Sequence, residues 1–307
     1  MTGVTTDRFA PGTRLGDYQI DDDLPGGWNH EAYEATHVLL PRRARVMVLS
    51  AAYVDERSAA VQMMREACLV EAMQHPGVPR VFECGVVNHR PWIACELVEG
   101  VSLTDAISEH PLTVPEVLAL LRDVAEVLEH AHRRNIVHRN LRPEVLLQTH
   151  GRAFPVCITG WSDARIHDAE AELVDLRADV FALGAVAFTA LSGSRPSVLT
   201  ACERCPGAPR ALTTLIDRML AVEPEARPSC AEVRAAAIRI AELSEVAVDE
   251  EIDDLDIEEV PVDLVDISRL PPPVPRRRGW TPALGNLPTA PRVATLAKLE
   301  LERRPKP

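Results

Sequence analysis

The order of strand-like and helix-like patterns constrains the fold of this chain most. From Asp17 to about Glu99 the sequence has short runs typical of β-strands, interrupted at 56–74 by one stretch in which apolar residues recur at helical spacing. After Gly100 the pattern changes to helices separated by prolines. Strand patterns followed by helical patterns predict an α+β fold of two lobes, joined at residues 96–100.

The same patterns give approximate bounds for each element. The predicted strands are 18–21, 32–37, 44–49, 78–87 and 92–97. The predicted helices are 56–74, 102–109, 114–134, 175–192, 208–221 and 230–243. The apolar run 180–191 is too short to span a bilayer and is expected to be a buried core helix.

Changes in composition predict three parts of the chain. Residues 1–16 are polar with Pro and Gly and are expected to be a flexible leader; residues 17–244 are expected to be one domain, with an N-lobe at 17–99 and a C-lobe at 100–244. From 245 to 307 an acidic stretch is followed by a Pro- and Arg-rich one, which is typical of a disordered tail.

Charge and cysteine content limit the compartment and the partners. The net charge of −13 argues against nucleic acid as the main partner, because phosphate contacts need clustered cations. An odd number of cysteines, seven, and the lack of an N-terminal secretory signal favour a cytoplasmic protein with reduced thiols. Cys202 and Cys205 form a lone CxxC, which is interpreted as part of a plain loop and not as a metal or redox site.

The segment Ile136–Leu147 carries the most informative motif. It reads His138-Arg139-Asn140-Leu141-Arg142-Pro143-Glu144-Val145 and resembles the catalytic loop of bacterial serine/threonine protein kinases, His-Arg-Asp-Leu-Lys-Pro-Glu-Asn. Further segments resemble kinase landmarks in the same order: Arg65-Glu66-Ala67, His75-Pro76, Glu96–Gly100, Asp179–Gly184 and Pro224–Ser229. The resemblance covers residues 17–243 and implies the two-lobed kinase-like fold.

The resemblance also implies that the reactive positions have changed. Met47 stands where the family has the lysine that binds the α- and β-phosphates, and the sequence has no lysine before Lys298. Asn140 replaces the proton-accepting aspartate, and an amide cannot act as a base near neutral pH. Val145 and Gly160 replace the two magnesium ligands, and neither side chain offers an oxygen.

The nucleotide pocket is expected to be vestigial. Pro25 and His30 replace two glycines of the Gly-rich loop, and Arg45 stands where a small alanine covers the adenine, so its side chain is expected to fill or seal the pocket. The residues assigned to this vestigial pocket are Gly27, Ala32, Arg45, Glu96, Val98 and Leu147.

Other positions keep the residues that the family uses for its internal frame. They are Glu66, His138, Arg139, Asp179 and Arg227. Glu66 has lost its lysine partner, and the sequence leaves open whether it pairs with Arg43 or Arg45 or lies in solvent.

The activation segment is expected to be short. Twelve residues separate Ser162 from Asp175, and no Ala-Pro-Glu motif follows. Asp163 lies three residues beyond Gly160 and is expected to point away from the metal position.

The expected function is therefore that of a pseudokinase, a scaffold or allosteric regulator in bacterial signalling with no cofactor and no metal. Two alternatives stay open: a divergent kinase that retains binding of ATP with Mg²⁺ or weak phosphotransfer, and a nucleotide or small-ligand sensor without catalysis. The expected partners are proteins, for example a true kinase or a signalling complex, bound through the C-lobe or the tail, with no membrane span. The acidic stretch 249–266 is expected either to dock on Arg133, Arg134, Arg139 and Arg142 or to be a free linker.

Overall fold

The residues described by the structure, a computed structural model, are 8–166, 173–196 and 199–253, with side chains except at 166, 173–175 and 245–253. The expected tail beyond residue 253 lies outside them. The fold is α+β with two lobes, as predicted from the order of patterns.

The N-lobe is built on one antiparallel sheet of six strands in the order β1-β2-β3-β4-β6-β5. The strands are β1 Arg14–Leu15, β2 Tyr18–Leu24, β3 His30–His37, β4 Arg43–Leu49, β5 Val81–Val87 and β6 Arg90–Glu96. Helix α1, Arg57–Met73, packs on one face of the sheet and places Met63 and Ala67 against Leu49 and Ile93.

Alternation along β4 decides which side chains face the cleft. Ala44, Val46 and Val48 are buried in the cluster on the far side of the sheet from α1. Because side chains alternate along a strand, Arg45 and Met47 lie on the same face as Leu49, which packs under α1.

The segment before β2 belongs to the N-lobe. Leu15 is buried, β1 pairs with β2, and the Gly12 amide donates to the Ile20 carbonyl at 2.7 Å. Over residues 8–16 this differs from the flexible leader expected at 1–16, and residues 1–7 of that expected leader lie outside the described residues. A two-residue strand is too short to show an alternating pattern, so β1 could not be predicted from the sequence.

The C-lobe is mainly helical. Its helices are α2 Leu103–Glu109, α3 Val114–His132, α4 Leu173–Ser192, α5 Ala201–Arg204, α6 Arg210–Met219 and α7 Cys230–Asp253. Its strands are β7 Gly100–Ser102, β8 Ile136–Val137, β9 Leu146–Thr149, β10 Val156–Ile158 and β11 Arg165–Ile166. They form a β10-β9-β7 sheet and a β11-β8 pair.

Helices α3 and α4 form the centre of the C-lobe core. On α4, Val180, Leu183, Val186 and Phe188 are all buried, which confirms that the apolar run 180–191 is a core helix. No helix in the described part of the chain is long and apolar enough to cross a membrane.

The bounds of the long elements agree with the predicted ones within a few residues, except at the end of α7. This helix continues to Asp253, nine residues past the expected end of the domain at 244. Five short strands, β7 to β11, were not predicted. Helix α5 covers Cys202 in the segment interpreted as a loop, and all seven cysteines are free thiols.

Candidate functional site: the cleft between the lobes

Asp179 on α4 fixes the loop that follows β8. Its side chain is fully buried, and its two oxygens accept the backbone N–H groups of His138 at 2.9 Å and Arg139 at 2.8 Å. The ring of His132 lies 2.9 Å from the same carboxylate. Since Arg139 also adopts a left-handed backbone with φ 67°, these bonds hold the loop in a conformation that it would rarely adopt alone.

His138 links this loop to the segment after β10. Its Nε2 lies 3.0 Å from the Thr159 carbonyl, and its Nδ1 accepts the Asn140 N–H at 3.3 Å. Its ring meets Trp161 edge to face, with centroids 4.5 Å apart. Burial lowers the pKa of His138, so the neutral ring donates through one nitrogen and accepts through the other.

Asn140 is engaged by Asp163. The Asn140 amide donates to the Asp163 carboxylate at 2.7 Å. The expectation that Asp163 points away from the metal position stays a prediction, but its contact with the catalytic loop was not predicted. A one-turn 3-10 helix at Trp161–Asp163 turns the chain back and brings Asp163 to the loop.

Val145 and Gly160 lie in contact with each other. Val145 is buried, and a Cβ placed on Gly160 would lie 2.8 Å from its Cγ1. Gly160 also has φ 72°, a conformation that favours glycine. The backbone is tied at the same point, since the Thr159 N–H donates to the Val145 carbonyl at 2.8 Å. The two expected magnesium positions thus form an apolar contact with no side-chain oxygen.

Glu66 points from α1 towards this cluster and is half-buried. Burial, and next the negative charge of Asp163, raise the pKa of Glu66 to about 7, while Arg45 opposes the shift. Arg43 is not its partner, because Arg43 pairs with Glu34 at 2.5 Å and Glu99 at 2.6 Å. Of the three possibilities for Glu66, the structure favours an interaction with Arg45. This interaction is electrostatic and does not involve a close ion pair.

Arg45 crosses from β4 to the Gly-rich loop. Its guanidinium donates to the Pro25 carbonyl at 2.5 Å, and burial lowers the pKa of Arg45. The His30 ring packs directly on Gly27, since a Cβ there would lie 2.4 Å from the ring. Burial, with Arg45 nearby, lowers the pKa of His30 to about 4, so this ring is neutral near pH 7. A guanidinium and an imidazole thus lie against the loop that would cradle phosphates.

Met47 and Ala32 are packed together with the N-lobe core. They are opposite each other in the β3–β4 register, Ala32 is fully buried, and Met47 packs on the cluster around Leu49 and Met63. Met47 therefore has a packing role in place of a charged one.

The remaining pocket residues join the lobes. The Glu96 carboxylate accepts from Arg152 and from the Arg80 backbone N–H, and Arg152 also donates to the Pro76 carbonyl at 2.7 Å. Val98, two residues after Glu96, is half-buried. Leu147, in β9, is also half-buried. Glu96 is thus engaged in an internal ion pair at the hinge.

Arg227 connects α4 to the segment after α6 in the C-lobe. Its guanidinium donates to the carbonyls of Ala221, Arg177 and Val222 at 2.8–3.1 Å and lies over the Phe181 ring at 4.8 Å. These contacts join α4 to the segment that follows α6.

In the described part of the chain, no group of three or more His, Cys, Asp or Glu side chains could hold a metal ion. Sequence reasoning missed the Asn140–Asp163 bond and the Val145–Gly160 contact. Both depend on how two loops meet, and neither leaves a pattern in the sequence.

Comparisons with known proteins find similarity to protein kinases. A model of the protein tyrosine and serine/threonine kinase family matches residues 31–173. The serine/threonine-protein kinase PknJ of Mycobacterium tuberculosis is 26% identical over 260 residues, covering 71% of this chain and 44% of PknJ. PrkC of Bacillus subtilis is 27% identical over 201 residues, covering 59% of this chain and 31% of PrkC. The chain spans less than half the length of these curated relatives.

A solved structure agrees with this assignment. The kinase domain of PknI from Mycobacterium tuberculosis superposes with a TM-score of 0.62 at 26% identity, covering 76% of this chain and 99% of that domain. The chain thus contains a protein-kinase domain whose homologues include bacterial serine/threonine kinases.

Proposed function

We propose that this domain is a pseudokinase that does not transfer phosphate and that acts as a scaffold or allosteric regulator in bacterial signalling. The observation that carries the proposal is the contact between Val145 and Gly160. Magnesium needs hard oxygen ligands, and a metal-bound nucleotide needs them at these two positions in a kinase. An apolar contact in their place leaves the metal without protein ligands.

The N-lobe side of the cleft supports the same proposal. Arg45 is bonded to the Pro25 carbonyl, and the neutral His30 ring covers Gly27. A phosphate would have to break the first contact and displace the second before it could approach the loop backbone. Met47 supplies no charge to compensate.

The partner is proposed to be a protein, bound through the C-lobe or through the segment beyond Asp253, in the cytoplasm. A net charge of −13 disfavours nucleic acid. A scaffold requires the fold and its surfaces but not the cleft chemistry. This fits a domain in which Asp179 still holds the loop after β8 while Val145 and Gly160 offer no side-chain oxygen.

Thermal denaturation of the full chain with about 1 mM ATP, with and without Mg²⁺, tests the proposal. We expect no shift in Tm. A dissociation constant near 10 μM would stabilise the fold by about 2.7 kcal/mol at this concentration. At about 2–4 °C per kcal/mol, Tm would rise by roughly 5–10 °C, and a shift of that size would show the proposal to be wrong.

A matched pair of variants tests the part played by Arg45. Arg45→Ala removes the bond to Pro25, whereas Arg43→Ala removes a guanidinium from the same strand that pairs outside the cleft. We expect a measurable ATP-dependent shift in Tm only in Arg45→Ala. If both variants stay unresponsive, Arg45 does not seal the pocket; if wild type transfers labelled phosphate to a protein substrate, the domain is a divergent kinase.

A further inference from the structure

The loop between β2 and β3 carries an exposed tryptophan. Trp28 is 61% exposed, whereas the other two tryptophans of the described residues, Trp92 and Trp161, are 4% and 1% exposed. The Trp28 ring meets the half-buried ring of Tyr53 at an angle of 89°, with centroids 5.5 Å apart. Because Trp28 is mostly exposed, this perpendicular pair is open to a ligand from the solvent side.

Backbone hydrogen bonds hold the two rings in place. The Ser50 N–H donates to the Asn29 carbonyl at 2.9 Å, and the Tyr53 N–H donates to the Ser50 carbonyl at 2.9 Å. Asn29, which follows Trp28 directly, is buried. The loop that carries Trp28 is therefore tied to the 3-10 turn that carries Tyr53. A pair fixed in this way loses little conformational entropy when it binds a ligand.

The turn after Tyr53 places two carboxylates beside the aromatic pair. The Glu56 N–H donates to the Tyr53 carbonyl at 3.0 Å, which keeps Asp55 and Glu56 next to Tyr53. Both side chains are exposed, and within the described residues neither forms an ion pair or a side-chain hydrogen bond. They outnumber the neighbouring exposed cation, Arg57, so the turn has a net negative charge.

The charged groups on the other side of Trp28 are already engaged. Glu31 pairs with the buried Arg90 at 2.7 Å. Arg45 is half-buried and donates to the Pro25 carbonyl. The His30 ring is neutral near pH 7, because burial lowers its pKa to about 4. The free charge next to the aromatic pair is therefore that of the turn after Tyr53.

We propose that Trp28 and Tyr53, with Asp55 and Glu56, bind arginine side chains in a basic segment of a partner protein. A planar guanidinium stacks on aromatic faces, with tryptophan the best of them, and donates to carboxylates. Its aliphatic stem would contact Val54, which is 37% exposed. The net charge of −13 also favours a basic partner.

This surface does not include the apolar contact that replaces the metal ligands. The inference therefore does not depend on whether the domain transfers phosphate. Its test uses no nucleotide, so its failure would leave the proposed function untouched.

Fluorescence anisotropy of a labelled peptide, three arginines flanked by glycines, titrated with the full chain at low salt tests the proposal. We expect saturable binding, and none when citrulline, a neutral analogue of similar shape, replaces arginine. Trp28→Leu should weaken binding about 3- to 30-fold, since it removes the better ring for a cation. Leu39→Ala, which changes an 85% exposed leucine elsewhere in the N-lobe, should bind as wild type does.

A second set of variants tests the carboxylates. Asp55→Asn combined with Glu56→Gln should weaken binding about threefold and make it less sensitive to salt, because exposed charges attract less as ionic strength rises. Glu109→Gln, at an exposed position in the C-lobe, should change neither quantity. Melting curves on each variant should match the wild-type curve, since all these side chains are exposed.

Several results would overturn the proposal. They are equal binding of the arginine and citrulline peptides, unchanged affinity in Trp28→Leu, and unchanged affinity and salt sensitivity in the double carboxylate variant. The sequence itself has three arginines at 276–278. If the peptide binds only after all three are changed to Ser, the chain fills the site itself and a separate partner is excluded. If it binds in neither form, this surface does not bind arginine.

Discussion

Two neighbouring regions of the cleft differ in what their side chains do. Around Asp179, a buried carboxylate holds the His138 and Arg139 backbone, and each interaction is made within the fold. Around Val145 and Gly160, the residues offer nothing to a ligand and simply pack together. The residues of the first region hold the loops through buried hydrogen bonds, while Val145 and Gly160 make an apolar contact.

Under the function proposed here, the kinase fold does not depend on the chemistry of its cleft. A buried hydrogen-bonded carboxylate is costly to lose, because its donors remain buried without an acceptor. A cleft position that faces a ligand has no such constraint once the ligand is no longer bound. The following predictions test this division, from the largest expected effect to none.

Asp179→Ala should cause the largest loss of stability. It removes the acceptor of two backbone N–H groups and of the His132 ring in a fully buried site. We expect the free energy of unfolding to fall by about 3–5 kcal/mol, measured by chemical denaturation.

The controls for this prediction lie in the same region. Asp179→Asn keeps one oxygen acceptor and should lose about 1–3 kcal/mol. Asp163→Ala removes a carboxylate whose hydrogen bond to Asn140 is exposed, and it should lose less than about 1 kcal/mol. Equal losses for Asp179→Ala and Asp163→Ala would remove the distinction between the two regions.

Glu66 on α1, on the N-lobe side of the cleft, should produce a smaller, pH-dependent effect. Its pKa is about 7 in the folded chain against an ordinary value of 4.5. The folded state therefore binds more protons than the unfolded state between these values, so the free energy of unfolding falls as pH rises from about 4.5 to 7. Because the side chain is partly solvated, we expect a fall of about 1–2 kcal/mol and little further change above pH 7.

Glu66→Gln should abolish this pH dependence, as followed by urea denaturation at several pH values. Glu71→Gln, at an exposed position on the same helix, should keep it. If the wild-type and Glu66→Gln curves stay parallel from pH 4.5 to 7, the Glu66 side chain is solvated or paired, and the arrangement described here is wrong.

The overall fold could be predicted from the sequence because its long elements carry strong periodic patterns. The helical patterns at 114–134 and 175–192 correspond to α3 and α4, which form the C-lobe core. Short strands such as β8 and β11 have two residues each and could not be found from alternation.

The sequence predicts which residue types stand at the site, but not which of their side chains contact each other. Arg45 was expected to obstruct the pocket because of its size at an alanine position, and its bond to Pro25 supports the proposal that it does. The approach of Asp163 to Asn140 depends on a single 3-10 turn at 161–163. Such tertiary contacts leave no local signal in a single sequence.

The smallest expected effect concerns restored activity. Met47→Lys, Asn140→Asp, Val145→Asn and Gly160→Asp together introduce the four groups that the kinase resemblance leads one to expect at these positions. Even so, we expect no phosphate transfer from labelled ATP to a generic protein substrate with Mg²⁺ or Mn²⁺. Gly160→Asp places a Cβ next to residue 145 and requires φ 72° of a residue with a side chain.

The other three changes leave the nucleotide pocket obstructed. Met47→Lys takes an apolar side chain from the cluster under α1, and Arg45 and His30 still lie against the Gly-rich loop. Circular dichroism and a melting curve on the same preparation should show that the variant is folded, so that inactivity is not the result of unfolding. Metal-dependent phosphorylation by the quadruple variant would contradict the prediction. It would mean that four side chains alone separate this domain from an active kinase, and that the Gly-rich loop opens when a nucleotide binds.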